Sequence, residues 1–275
     1  MPIAFQGTSG AFGEAALVQH FGEHASRMAL ASFGDVVEAV ATGDADAGVV
    51  PIENSLHGSV LETYDALLAC DDVYVVGEVR LAVRHSLLAV PGTRLDEVTH
   101  ACSHPQALAQ CAAFLAEHGI AAVAATNTAV AARDVAELGA GSGRAAIASE
   151  RAGALHGLDV LAADIQTRSD NTTRFFVLGA QPLVGPANKA SLVFTTRNRP
   201  GALLACLEAI ADVGLNLTKL ESRPAGDAMW EYAFAIDVEM ADRGELDGAT
   251  VDALCASLAA RATSLRLLGR YPAAT

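Results

Sequence analysis

Ala47-Gly48-Val49-Val50-Pro51-Ile52-Glu53-Asn54-Ser55 is an apolar run of strand length that ends in a carboxylate, an amide and a hydroxyl. A buried strand with polar side chains at its C-terminal end is where layered α/β folds place their ligands. Outward from it, short apolar runs at 3–5, 73–83, 121–125, 145–148 and 174–178 alternate with amphipathic stretches at 12–21, 35–41, 59–68, 105–118 and 129–138. Such alternation predicts an α/β architecture.

The pattern changes after 179–188, where two prolines and two glycines without a period read as a linker. Beyond it a strand at 191–195, a helix at 201–213, strands at 215–221 and 231–238, a helix at 251–262 and a strand at 264–269 spell βαββαβ, a ferredoxin-like module. Tyr232, Phe234, Ile236 and Val238 alternate as in a half-buried strand, and Leu203, Leu207 and Ile210 recur on one helix face. The edges of so small a module invite pairing with a second copy.

With 275 residues, 52% of them hydrophobic, the chain can bury a substantial core. No basic segment followed by an apolar core opens it, and no run reaches the roughly 18 residues of a membrane span, so a cytoplasmic protein is expected. Cys70, Cys102, Cys111, Cys206 and Cys255 form no Cys-x-x-Cys pair and are odd in number, which predicts free thiols. The eight histidines show no metal-ligand spacing, so no metal is expected. Thirty-two acidic against 18 basic residues give −14. From residue 190 onward the counts are 11 and 8, so that part carries −3 and the rest −11. Such a field repels nucleic acid and anionic membranes. A site for an anionic substrate must then use local donors, helix N-termini and single arginines.

Asn171-Thr172-Thr173-Arg174-Phe175 carries hydroxyls, an amide and a cation ahead of an apolar strand. Alternation points Asn171 and Thr173 one way and Thr172 and Arg174 the other. A twist or bulge would be needed to bring Arg174 to the same side. In the helix after Ser103, the seam Leu108, Cys111, Ala112, Leu115 leaves Gln106 and Gln110 for solvent or a cleft, and His104 reads as a turn residue. Thr128 suits an N-cap. Gly7-Thr8-Ser9-Gly10-Ala11-Phe12-Gly13 follows a strand and opens a helix, a place for an anion or merely a tight turn, and its glycine spacing does not fit a nucleotide loop.

Taken together, the stretch Ile3 to Phe12, the Glu53-Asn54-Ser55 strand end with Gly58-Ser59-Val60, Ser103-His104-Pro105-Gln106 and Thr173-Arg174-Phe175 resemble prephenate dehydratase. Pro200-Gly201-Ala202-Leu203 and Glu221-Ser222-Arg223-Pro224 look like the phenylalanine-sensing ACT domain of that family. The resemblance implies a two-lobed, periplasmic-binding-protein-like catalytic domain over 1–180, its second lobe about 78–160, a linker at 181–189 and an ACT regulatory domain over 190–275. It implies conversion of prephenate to phenylpyruvate without a cofactor, with Thr173, Asn54 and Gln110 as catalytic residues and Thr8, Ser9, Ser55, Ser103 and Arg174 on the substrate. Ser59 would head the next helix. Gly201, Ala202, Leu203, Glu221, Ser222 and Arg223 would hold L-phenylalanine between paired modules of a homodimer or homotetramer. Arogenate dehydratase and a noncatalytic amino-acid sensor are the alternative readings.

Overall fold

The computed structural model describes residues 1–224, 232–242 and 244–274. In chain order its strands are β1 (Ile3–Gln6), β2 (Arg27–Leu30), β3 (Ala47–Asn54), β4 (Gly58–Ser59), β5 (Tyr74–Ala82), β6 (Ser86–Ala89), β7 (His100–Ser103), β8 (Ala121–Ala124), β9 (Arg144–Ala148), β10 (Asp159–Ala162), β11 (Thr172–Gly179), β12 (Lys189–Thr196), β13 (Leu215–Pro224), β14 (Tyr232–Met240) and β15 (Ser264–Tyr271). The helices are α1 (Phe12–Phe21), α2 (Phe33–Thr42), α3 (Leu61–Leu68), α4 (Pro105–Gln110), α5 (Ala112–Glu117), α6 (Thr128–Leu138), α7 (Glu150–His156), α8 (Ala202–Asp212) and α9 (Gly248–Ala259). Among the described residues the sheets run β2-β1-β3-β11-β5 with β4 on β3, β10-β6-β9-β7-β8, and β13-β14-β12-β15. Two compact units result, residues 1–36, 49–64 and 80–175 in one and 37–48, 65–79 and 176–275 in the other.

In the first unit β1 lies parallel to β2, and Ile3, Ala4 and Phe5 are all buried, as a strand covered on both faces requires. The polar end of β3 turns back on itself, Glu53 opposite Ser59 and Asn54 opposite Gly58. Ser59 therefore does not head a helix: it belongs to β4, and α3 starts at Leu61. The second sheet runs from Ser86 to Ala162, later than residue 78, because β5 stays in the first sheet through Ala82. Successive residues of that second sheet feed opposite faces. Leu87, Ala101 and Ile147 pack with Leu108, Cys111 and Leu115, while Leu88, Cys102 and Ala146 pack with Ala131, Ala132 and Val135. The helix expected over 105–118 is broken into α4 and α5. The Gln110 carbonyl accepts from the Thr167 backbone N–H at 2.9 Å, and the helix re-forms one residue later. Ala112 consequently leaves the apolar seam and is exposed.

The second unit contains the βαββαβ module, with β12 antiparallel to both β14 and β15 and β14 antiparallel to β13. Leu192, Phe194, Ile236, Val238, Cys206, Ile210, Leu254 and Leu258 form its core under α8 and α9. The strand expected from residue 231 is β14; Glu231 itself lies outside the described residues. This strand is not half-buried, since Ala233, Ala235 and Asp237 on its other face are buried as well. Segment 65–79 of the same unit covers that face. Arg266, which shares a cross-strand row with Val193 and Ala235, donates to the Leu67, Cys70 and Val73 carbonyls, and Arg223 pairs with Asp65. Among the described residues no helix is long and apolar enough to cross a membrane. All five cysteines are free thiols.

Candidate active site

The first unit holds a cavity of about 320 Å³. Three helix starts border it: Ala11, Phe12 and Gly13 at α1, His104, Gln106 and Ala107 at α4, and Asn127 and Thr128 at α6. Strand side chains complete the lining, among them Gln6, Asn54, Asn171, Thr173 and Phe175, with His85 and Gln110 from the second lobe. Among the described residues no lysine, arginine, aspartate or glutamate lines it. An anion here meets the partial positive charge of helix N-termini instead of a cation.

The polar side chains form one directional chain of hydrogen bonds. Asn54 Oδ1 accepts from the backbone N–H groups of Leu56, at 2.9 Å, and His57, at 3.1 Å, which fixes the amide and turns its NH₂ inward. That NH₂ donates to Asn171 Oδ1 at 2.7 Å and to Thr173 Oγ1 at 2.9 Å. Asn171 Nδ2 donates to Gln110 Oε1 at 3.1 Å, and His85 Nε2 meets the same oxygen at 2.8 Å. Thr173 Oγ1 accepts from Asn54 and keeps its own proton available for donation. His85 is 2% exposed, and burial pushes its pKa below the ordinary 6.5, the Gln110 contact opposing this more weakly.

Of the residues singled out in the sequence, Thr173, Asn54 and Gln110 converge on this cavity, and Asn171 and Thr173 share a face as the alternation argument requires. His104, Gln106 and Thr128 border it as well, whereas the expected substrate contacts are placed elsewhere. Arg174 is turned from the lining and pairs with Glu53 at 3.0 Å. Ser55 Oγ donates to the Asp170 carbonyl at 2.9 Å and accepts from Thr172 N at 3.0 Å, which ties the end of β3 to the start of β11. Ser103 is fully buried and donates to the Ile147 carbonyl at 2.5 Å. Thr8 and Ser9 are exposed and outside the lining; the residues of that loop which reach the cavity are Ala11 to Gly13. Thr128 is not the N-cap of α6, for Asn127 Oδ1 takes the Val130 N–H at 2.7 Å. His104 caps α4 through Nδ1, which accepts from Gln106 N at 3.3 Å.

The sequence reading missed His85 altogether and did not assign Asn171 a site role. A signal for Asn171 existed, its position two residues before Thr173 on the same strand face. His85 stands in a loop between β5 and β6, and no local pattern marks it.

In the second unit, the register sets Arg223 against Ala233 and Ala233 against Thr195, with Pro224, Tyr232 and Thr196 in the next row. The Glu221-to-Arg223 stretch thus lies at the end of the sheet from which the chain leads to Gly201. Gly201 is itself the N-cap of α8, at φ +80°. Pro200 therefore precedes the cap and is not in the first helical turn.

Fold and cavity together define a two-lobed α/β enzyme whose cavity is lined by neutral polar groups and helix starts, with a ferredoxin-like module. The chain belongs to the prephenate dehydratase family, whose model matches residues 3–183. It is 39% identical over 285 residues to arogenate dehydratase/prephenate dehydratase 2, chloroplastic, of Arabidopsis thaliana, covering 99% of this chain and 73% of that protein. It is 37% identical over 277 residues to the bifunctional chorismate mutase/prephenate dehydratase of Neisseria gonorrhoeae, covering 100% and 75%. The solved prephenate dehydratase of Arthrobacter aurescens, in complex with L-Phe, superposes with a TM-score of 0.88 at 32% identity over 99% of this chain and 90% of that one. GqqA, a novel type of quorum quenching acylase, superposes equally well, with a TM-score of 0.88 at 32% identity over 99% and 98%.

Proposed function

We propose that this enzyme converts prephenate to phenylpyruvate, carbon dioxide and water, and that Thr173 donates to the leaving hydroxyl. The observation that carries the reading is the hydrogen-bond chain that ends on Thr173 Oγ1 in the cavity lining and leaves the hydroxyl proton available for donation. In the reaction the bond from the ring to its carboxylate breaks, the electron pair enters the ring, and the C–O bond at the opposite carbon breaks. Hydroxide takes up one proton and leaves as water, and the ring becomes aromatic. Aromatisation supplies much of the driving force, so a strong base is not needed. What the protein adds is a placed donor and fixed carboxylates. A threonine hydroxyl is a poor free acid and works here by position, as a relay held by Asn54. The helix starts at Ala11–Gly13 and Asn127–Thr128 are the supports for the two carboxylates.

Arg174, Ser55 and Ser103 are assigned to holding the strands that carry the site. The Arabidopsis relative names both arogenate and prephenate, and the ring chemistry is the same for either; we place prephenate first on the bacterial relative's name. The GqqA similarity would call for an activated nucleophile, whereas among the described residues the lining contains no serine or cysteine and His85 faces Gln110, not a hydroxyl. We further propose that the βαββαβ module is an ACT regulatory domain over 190–275 that binds L-phenylalanine and pairs with a second copy, dimer or tetramer. The support is the L-Phe complex of the Arthrobacter protein and the convergence of Gly201–Leu203 and Glu221–Arg223 at one sheet end. A cytoplasmic location is the corresponding reading for this chain. Turnover of prephenate and of arogenate, with and without phenylalanine, tests these assignments: equal rates with and without phenylalanine remove the regulatory half, and acylase activity without dehydration removes the dehydratase.

A further inference from the structure

We propose that His85 is a positioning residue for the dehydration, a neutral Nε2–H donor that holds the Gln110 amide, and through it Asn171, in place beside Thr173. The inference rests on the dehydratase reading of the cleft. The argument is one of donor accounting. The backbone N–H groups of Leu56 and His57 settle which end of the Asn54 amide is oxygen. From that anchor each orientation follows in turn, because reversing Asn171 would set two NH₂ groups face to face, and so would reversing Gln110. Gln110 Oε1 already accepts from Asn171, so the partner 2.8 Å away on its other side, His85 Nε2, must carry a proton. The tautomer is thus dictated by a chain that begins on the opposite lobe.

The ring is held independently of the cleft. The His85 backbone N–H donates to Gln166 Oε1 at 2.8 Å, its carbonyl accepts from Ile165 N at 2.9 Å, and Phe12 meets the ring edge-on at 5.6 Å. His85 Nδ1 is buried and has no hydrogen-bond partner among the described residues. A second proton there would be an orphan donor, which favours the neutral ring. Gln110 and Phe12, which meet the ring, are uncharged, as is Gln166, which meets the His85 backbone. Of the charged neighbours, Arg84 and Asp164 pair with each other at 2.9 Å and Glu150 lies against Ser86, and His104 is the other titratable side chain of the lining.

Steady-state kinetics on prephenate with His85→Leu, His85→Gln, His85→Asn, Gln110→Leu and the Leu/Leu double variant test the proposal. Glutamine can set its NH₂ where Nε2 stands, and asparagine cannot reach. We expect kcat to fall about 10- to 100-fold in His85→Leu with KM within about threefold, the pattern of an interaction that matters in the transition state. His85→Gln should recover to within about fivefold of wild type while His85→Asn does not, a comparison that stands even if the leucine variant fails to fold. In the Gln110→Leu background the further loss from His85→Leu should be under about threefold, because the two act as one unit. Full turnover in His85→Leu, equal defects in the Gln and Asn variants, or losses that multiply in the double variant would overturn the inference alone. Wild-type turnover in both Thr173→Val and Gln110→Leu would overturn the cleft reading, and the role of His85 with it.

Discussion

Thr173 and His85 stand at the two ends of one hydrogen-bond chain, and each makes a different prediction. Replacing Thr173 by valine keeps the shape and removes the donor; kcat should fall by about two to three orders of magnitude, as when a preorganised donor is lost, and Thr173→Ser should keep much of it. Steady-state turnover reads this, and an unchanged Val variant would remove Thr173 from the reaction. His85 enters through stability. Its folded pKa lies below 6.5 because the ring is buried, so in mildly acid solution the unfolded chain binds a proton that the folded chain refuses. Stability is therefore complete above about 6.5 and is lost as pH falls below it. The melting temperature should drop between about pH 6.5 and 5, and His85→Gln should drop less. How much of this was legible follows from range. Alternation along one strand gave the shared face of Asn171 and Thr173. The far end of their hydrogen-bond chain, His85, lies 25 residues from Gln110 and farther from Asn171, and only the fold joins them. For Ser103, Ser55 and Arg174 the sequence supplied polar side chains near a site but not what they bond, and each is engaged by backbone or by Glu53.

At the scale of elements, two contacts fix where the site-bearing pieces lie. Glu14, buried in the first turn of α1, accepts from Gly10 N at 2.6 Å and pairs with Arg27 at 3.1 Å and Arg151 at 3.6 Å. It holds the helix start that borders the cavity. Glu14→Ala should cost about 3 kcal/mol, as breaking a buried pair does. It should also raise KM for prephenate more than it lowers kcat; denaturant unfolding and kinetics check the two parts separately. In β15, a Cβ at Gly269 would stand 2.0 Å from the Val75 carbonyl oxygen. Backbone cannot yield that far, and Gly269→Ala should destabilise by about 3 kcal/mol or more, measured by urea unfolding. Strand and helix order could be read from periodicity, because burial repeats locally. The break at Cys111 could not, since its cause is the distant Thr167 N–H drawing off the Gln110 carbonyl. Likewise β14 read as half-buried because the small side chains Ala233 and Ala235 gave no hint that segment 65–79 covers them.

Over the whole molecule, a net charge of −14 would repel a dicarboxylate, and the site answers with helix N-termini where the sequence reading also allowed for arginines. Such termini act over a turn or less, so binding should weaken only modestly with salt. The regulatory claim belongs to this scale too. L-phenylalanine should raise the melting temperature and suppress turnover together, as a ligand that favours one state of the molecule must; no change in either would remove it. The most direct test of the account is the rate of phenylpyruvate formation from prephenate by the purified wild-type protein beside Thr173→Val, with the folding of both checked. The account predicts rapid formation by the wild type and a loss of about two to three orders of magnitude in the variant. Equal rates in the two, or no phenylpyruvate from the folded wild type, would contradict it.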